Sequence, residues 1–95
     1  MAFYAYLLRC SDGSYYAGHT DDIDVRIGQY QTGALGGYTE ARRPVQLVWS
    51  DCFPDRDQAF FVERKIKGWS QAKKEALIAG DWDRIRVLAW NRQGK

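Results

Sequence analysis

The chain has 95 residues, 45% of them hydrophobic, which suffices for one compact core and is too short for two independent domains. Its aromatic content, four Trp, six Tyr and four Phe, argues for a packed interior and against a disordered tail. A formal net charge of +2 does not mark a protein that binds polyanions by charge alone, although the charge is uneven: residues 1–33 sum to −2, whereas in residues 60–95 nine Lys/Arg face four acids. An ordinary solvated helix face accounts for such an excess as often as a phosphate-binding patch does. Cys10 and Cys52 have no metal-ligand spacing, and both sit in apolar strand-like runs, so both are read as core packing. No basic leader with a sustained apolar stretch and no bilayer-length segment is present, which leads to the expectation of a soluble cytoplasmic protein.

In chain order, FYAYLLRC (3–10) reads as a strand, SDG as a turn, and SYYAGHT as a second, antiparallel strand. Asp21 and Asp22 offer a helix N-cap before the apolar positions Ile23, Ile27 and Tyr30, and Gly33 closes that helix. TGALGGYTEARRP is expected to be an ordered but irregular surface loop from which Arg42 and Arg43 project, with Pro44 holding Arg43 extended. VQLVWSDCF (45–53) reads as a third strand, ended by Pro54. Asp55 then caps a helix whose Ala59, Val62, Ile66 and Trp69 form one buried stripe. Ser70 caps a further helix stopped by Gly80, and Asp81 starts another in which Trp82, Ile85, Leu88 and Ala89 share a face. The expectation is a single α+β domain over 1–95: a small three-stranded antiparallel sheet flanked by helices, ordered ββαβααα. Its core spans 3–69 and a helical carboxyl-terminal extension spans 70–92.

One constellation could carry chemistry. Tyr6 and Tyr16 stand where hydroxyls could emerge from the hairpin, and Gly18 beside them would let a ligand backbone approach closely. Strands are routinely rich in tyrosine for packing, so the pair alone is weak evidence. Arg26 and Tyr30, four residues apart, share the helical face that must dock on the hairpin. An isolated helical arginine is usually a solvated charge. Glu63 lies at the margin of the buried stripe of the second long helix, whereas Arg64, Lys65 and Lys67 lie away from it. A buried carboxylate needs a compensating cation, and Arg26 or a divalent metal would serve. A purely structural Glu–Arg pair competes with that reading. One histidine, His19, cannot build a multi-histidine zinc site, and no nucleophile elbow or phosphate-binding P-loop is present.

These residues resemble the GIY-YIG nuclease superfamily, in particular its short free-standing bacterial domain proteins, related to the nuclease domain of the excision-repair endonucleases. YAYLLRC (4–10) is similar to the first signature, kept at Tyr6, and YAG (16–18) to the second, with Ala17 replacing its central residue. Arg26, Tyr30 and Glu63 fall where the superfamily has its helix arginine, its second helix residue and its metal-binding glutamate. RRPVQLVW and IKGWS extend the likeness to the small-protein branch. His19 stands where the excision-repair relatives carry a lysine.

The resemblance implies a metal-dependent endonuclease with catalytic Tyr6, Tyr16, Arg26, Tyr30 and Glu63, and with Gly18 structural. It implies one divalent ion, Mg²⁺ or Mn²⁺, held by Glu63. Tyr16 would assist proton removal, Tyr6 would orient it, and Arg26 would lower the tyrosine pKa and stabilise phosphate charge. His19, Arg42, Arg43, Lys65 and Lys67 would contact nucleic acid, DNA rather than RNA, read by structure rather than by sequence in repair or processing. Two readings compete with it: a nucleic-acid-binding module with the tyrosines as stacking platforms, and a protein-interaction domain using Trp82 and Trp90.

Overall fold

The computed structural model describes residues 2–86. The elements are β1 (Phe3–Arg9), β2 (Tyr15–Thr20), α1 (Ile23–Thr32), β3 (Gln46–Phe53), α2 (Arg56–Lys67) and α3 (Gln71–Ala79), with a 3-10 helix over Gly37–Arg42 between α1 and β3. A last helical turn begins at 82–86, where Asp81 Oδ1 accepts the Arg84 backbone N–H at 3.0 Å. Leu88, Ala89, Trp90 and the end of the expected 70–92 extension lie outside the described residues.

The strands form one antiparallel sheet in the order β2-β1-β3, so β1 is central and β2 and β3 are edges. Tyr6 pairs with Gly18 and Leu8 with Tyr16, while Ala5 pairs with His19 and Leu7 with Ala17. Successive side chains of a strand point to opposite faces, so this register sorts the hairpin into two sets. Leu7 and Ala17 pack against Ile66, Ala76 and Leu77 from α2 and α3. Tyr6, Leu8 and Cys10 pack with Tyr30, Ile23 and Ile27 of α1. Ala5, Tyr6, Leu7 and Leu8 are all buried, which explains why β1 reads as a continuous apolar run instead of alternating. Each fully buried large side chain contributes roughly 1.5–3 kcal/mol, so this strand anchors the fold.

The helix ends follow local chemistry. Asp22 accepts the Val25 N–H, Asp55 the Gln58 N–H and Ser70 the Lys73 N–H, each satisfying a donor the first helical turn leaves unpaired. Gly33, at φ 77°, ends α1 in the left-handed region, donating its N–H to the carbonyls of the last turn.

The fold outside the candidate site departs from the sequence reading in four places. The 34–44 loop is not wholly irregular, because it contains the 3-10 helix and buries Thr39. Cys52, on the edge strand β3, is exposed; Cys10, which packs with Tyr6, Leu8 and Tyr30, is buried. Trp69 lies beyond the end of α2, which stops at the Gly68 C-cap, although its ring still packs on the core. Trp82 is 55% exposed while Ile85 of the same turn is buried.

Candidate active site at the β2 edge

On the α1 face of the sheet three tyrosines meet. The Tyr6 and Tyr30 hydroxyls share a 2.8 Å hydrogen bond. Their rings stand edge-on at 6.1 Å, and Tyr16 meets Tyr30 edge-on at 5.9 Å. Tyr6 is wholly buried, so its hydroxyl does not emerge to solvent as the sequence suggested. Gly18 has a different reason from the expected one. A Cβ there would stand 2.5 Å from Cζ of Tyr6, so the absent side chain makes room for the Tyr6 ring and not for a ligand backbone.

Arg26 of α1 reaches the same cluster. Burial pushes the Tyr6 phenol above its ordinary value, and the bond to Tyr30 and the Arg26 charge only partly offset this. Burial also raises Tyr30, reinforced by the bond to Tyr6 and by its tyrosine neighbours, with the Arg26 hydrogen bond opposing. Arg26 favours the ionised form of each phenol, and burial outweighs it at both. Tyr6 and Tyr30 are neutral hydrogen-bonding groups.

Glu63 comes from the other side of the sheet. It is 6% exposed, one turn from Ala59 and Ile66 on the buried side of α2. His19, whose β2 position faces α2, brings Nδ1 to 2.7 Å from Glu63 Oε1; the carboxylate accepts and the ring donates. Lys67 Nζ lies 3.2 Å from Oε2, one helical turn on. Glu63 therefore takes its side-chain partners from His19, by hydrogen bond, and from the Lys67 ammonium, and not from Arg26. The correction follows from register, since Arg26 docks on one face of the sheet and Glu63 on the other. Lys67 joins the two sets by passing the β2 edge, its ammonium 5.5 Å from the centre of the Tyr16 ring. A shallow recess of about 330 Å³ opens here, lined by Phe60, Glu63, Arg64 and Lys67.

The remaining basic residues are placed differently. Lys65 turns away from Glu63, over the Phe61 ring. Arg42 does not project freely: its Nε donates to Asp12 at 3.0 Å and its Nη1 to the Tyr38 carbonyl at 2.8 Å. Arg43 folds back likewise, donating from Nε to the Glu40 carbonyl at 2.9 Å. Two aromatics beside the site were not singled out in the sequence. Tyr38 stacks on Tyr16, and Phe60 lies 5.1 Å from the His19 ring. The signal for Tyr38 was a lone ring inside a glycine-rich loop; Phe60 sits three residues before Glu63, a spacing that shares a helical face.

The donor set accommodates a divalent ion in one way. Among the described residues, no group of three or more His, Cys, Asp and Glu side chains is arranged to hold a metal. Glu63 supplies a hard carboxylate at the wall of an open recess. Of its partners, Lys67 is a long side chain, 49% exposed, that can move aside, so one protein oxygen is available with water and phosphate oxygens completing the shell.

This fold and cluster define a class, which comparison with known proteins establishes. The sequence profile of the GIY-YIG catalytic domain matches residues 2–76, and the chain belongs to this nuclease-type family. Within it, the chain is similar to small free-standing domain proteins. It is 41% identical over 75 residues to a UPF0213 protein of Bacillus pumilus, covering 79% of this chain and 76% of that one. The solution structure of the UPF0213 protein BH0048 from Bacillus halodurans superposes with a TM-score of 0.54 at 40% identity, covering 83% of this chain and 84% of the other. That of protein EF2693 from E. faecalis gives 0.58 at 30% identity, over 84% and 85% of the two chains. Among the described residues, no helix is long and apolar enough to cross a membrane.

Proposed function

We propose that this chain is a divalent-metal-dependent endonuclease that hydrolyses phosphodiester bonds of nucleic acid, DNA rather than RNA, selecting structure over sequence. Repair or processing of nucleic acid in the cytoplasm is the setting this reading favours. The observation that carries it is the meeting, across the β2 edge, of Tyr16 with its Tyr6–Tyr30 support and a buried carboxylate, Glu63, through Lys67.

In this reading Tyr16, acting as its phenolate, takes the proton of the attacking water as the water oxygen bonds to phosphorus and the bond to the leaving sugar oxygen breaks, and solvent water returns a proton to that oxygen. Tyr30, hydrogen-bonded to Tyr6, holds Tyr16 edge-on, and both buried phenols stay neutral and do not exchange protons. Arg26 faces the charge that develops on the phosphate. Glu63 would hold Mg²⁺ or Mn²⁺, with His19 fixing the carboxylate through Oε1. When bound, the ion supplies Lewis-acid polarisation of the phosphate and a more acidic water. Lys67, Lys65, Arg42 and Arg43 attract the polyanionic backbone, the two arginines with the donors their internal bonds leave over.

Incubation with plasmid, branched and single-stranded substrates, with Mg²⁺, Mn²⁺ or chelator, tests this. Cleavage that needs the metal and favours structured DNA is expected; no product with any substrate and metal would overturn it. One observation favours a second reading, a module that binds without cutting. Arg64 lies 5.6 Å from the Phe60 ring centre and Lys65 5.4 Å from that of Phe61, and both rings are exposed, a pairing suited to stacking bases beside phosphates. Salt-sensitive binding without turnover would select it.

A further inference from the structure

Tyr38 is 43% exposed, on a loop whose neighbours are small or polar, where a large ring has no core to fill. Its ring nevertheless lies against Tyr16, with centroids 6.0 Å apart and planes 20° from parallel. The Arg42 guanidinium covers Tyr38, 3.9 Å from its centroid. Arg42 is itself held at three points: Nη1 donates to the Tyr38 carbonyl, Nε donates to Asp12, and its own carbonyl accepts the Ser11 N–H at 2.9 Å. Asp12 belongs to the turn that joins β1 to β2, where Ser14 donates to its other oxygen from both backbone and side chain. The hairpin turn thus clamps an arginine, the arginine clamps a ring, and that ring rests on Tyr16. Offset aromatic pairs attract beyond the area they bury, and a close cation over a ring adds to this, so the arrangement can restrain Tyr16.

Tyr30 touches Tyr16 edge-on and limits it in one direction only. Tyr16 is only half-buried, on an edge strand, and the core does not lock it the way it locks Tyr6. We propose that Tyr38 is a positioning residue for Tyr16: its ring, braced by Arg42 and Asp12, sets the orientation of the Tyr16 phenol at the β2 edge. The assignment rests on the nuclease reading for its effect on turnover and on the stacked geometry alone for its effect on Tyr16. It also gives Arg42 a bracing task beside, or in place of, backbone attraction.

The test compares Tyr38→Ala and Tyr38→Phe with the unaltered chain in single-turnover cleavage, and follows the Tyr16 ring-proton resonances by NMR. Because the contact is made by the ring, Tyr38→Phe should leave both readouts close to the parent chain. Tyr38→Ala should slow the chemical step by roughly 10-fold to 10²-fold with little change in KM, the signature of a misplaced group and not of lost substrate binding. Its Tyr16 resonances should shift as the stacked ring is removed. Unaltered cleavage in Tyr38→Ala, a rise in KM alone, equal impairment in Tyr38→Phe, or unmoved Tyr16 resonances would each overturn the proposal. If the parent chain cleaves nothing, the nuclease reading fails, and the Tyr16 resonances decide alone whether Tyr38 orients that ring.

Discussion

Tyr6 on β1 and Tyr30 on α1 hold each other's hydroxyls at 2.8 Å inside the interface between sheet and helix, and both rings are buried. A buried hydroxyl without a partner carries its full desolvation cost, so neither can be removed harmlessly. Tyr6→Phe should therefore lower the unfolding free energy by about 1–3 kcal/mol, leaving Tyr30 without its tyrosine partner. Urea titration of the two proteins measures this.

The same pair makes the fold sensitive to alkali. Burial, ahead of every other influence, raises both phenols, so their folded values lie above the unfolded value of about 10. The sign follows from which state gives up the proton first. Below about pH 10 both states hold it and the stability is fully present, whereas above it the unfolded chain ionises first and stability is lost as pH climbs through the folded values. Urea midpoints should hold level up to about pH 10 and fall above it, and fall less steeply in Tyr6→Phe. A midpoint that rises with pH there would contradict the assignment.

Gly18 is specified by the ring opposite it. With a Cβ only 2.5 Å from Cζ of Tyr6 and nearer still to the hydroxyl, Gly18→Ala has to move the ring or part the strands. A loss of about 1–3 kcal/mol is expected, in the range for overpacked interiors. Thermal unfolding reads it, and a change no larger than that of Gly28→Ala, where a Cβ meets open space, would show the site to be roomy.

The two partners of Glu63 should differ in weight. Lys67 is half-exposed, so Lys67→Ala should cost no more than about 1 kcal/mol. His19 bonds the buried carboxylate at 2.7 Å, so His19→Ala removes a partner that water replaces poorly and should cost about 1–3 kcal/mol. Equal effects in chemical denaturation would contradict the reading of Lys67 as the movable partner.

What could be read from the sequence was what local chemistry decides. Asp22, Asp55 and Ser70 each cap the helix that follows, and Gly33 and Gly80 end α1 and α3, because a cap needs only the next few backbone groups. The three strands and their antiparallel pairing were equally legible. Hidden was whatever depends on which face of the sheet a residue occupies. Glu63 looked like a partner for Arg26, but β1–β2 register sends His19 toward Glu63 and Tyr16 toward Arg26's side. Strand order was likewise hidden, since nothing in VQLVWSDCF says that β3, with its exposed Cys52, is an edge. The Tyr38 contact depends on a 3-10 helix and an arginine clamp that span separate segments, beyond the reach of periodicity.

The most direct test is single-turnover cleavage of a structured DNA substrate in Mg²⁺ or Mn²⁺ by Arg26→Ala and Glu63→Ala beside the parent chain. Slowing by roughly 10²–10³-fold in Arg26→Ala, and a comparable or greater loss in Glu63→Ala, with both proteins folded, is the predicted result. Metal-dependent cleavage at the parent rate in both variants would contradict it.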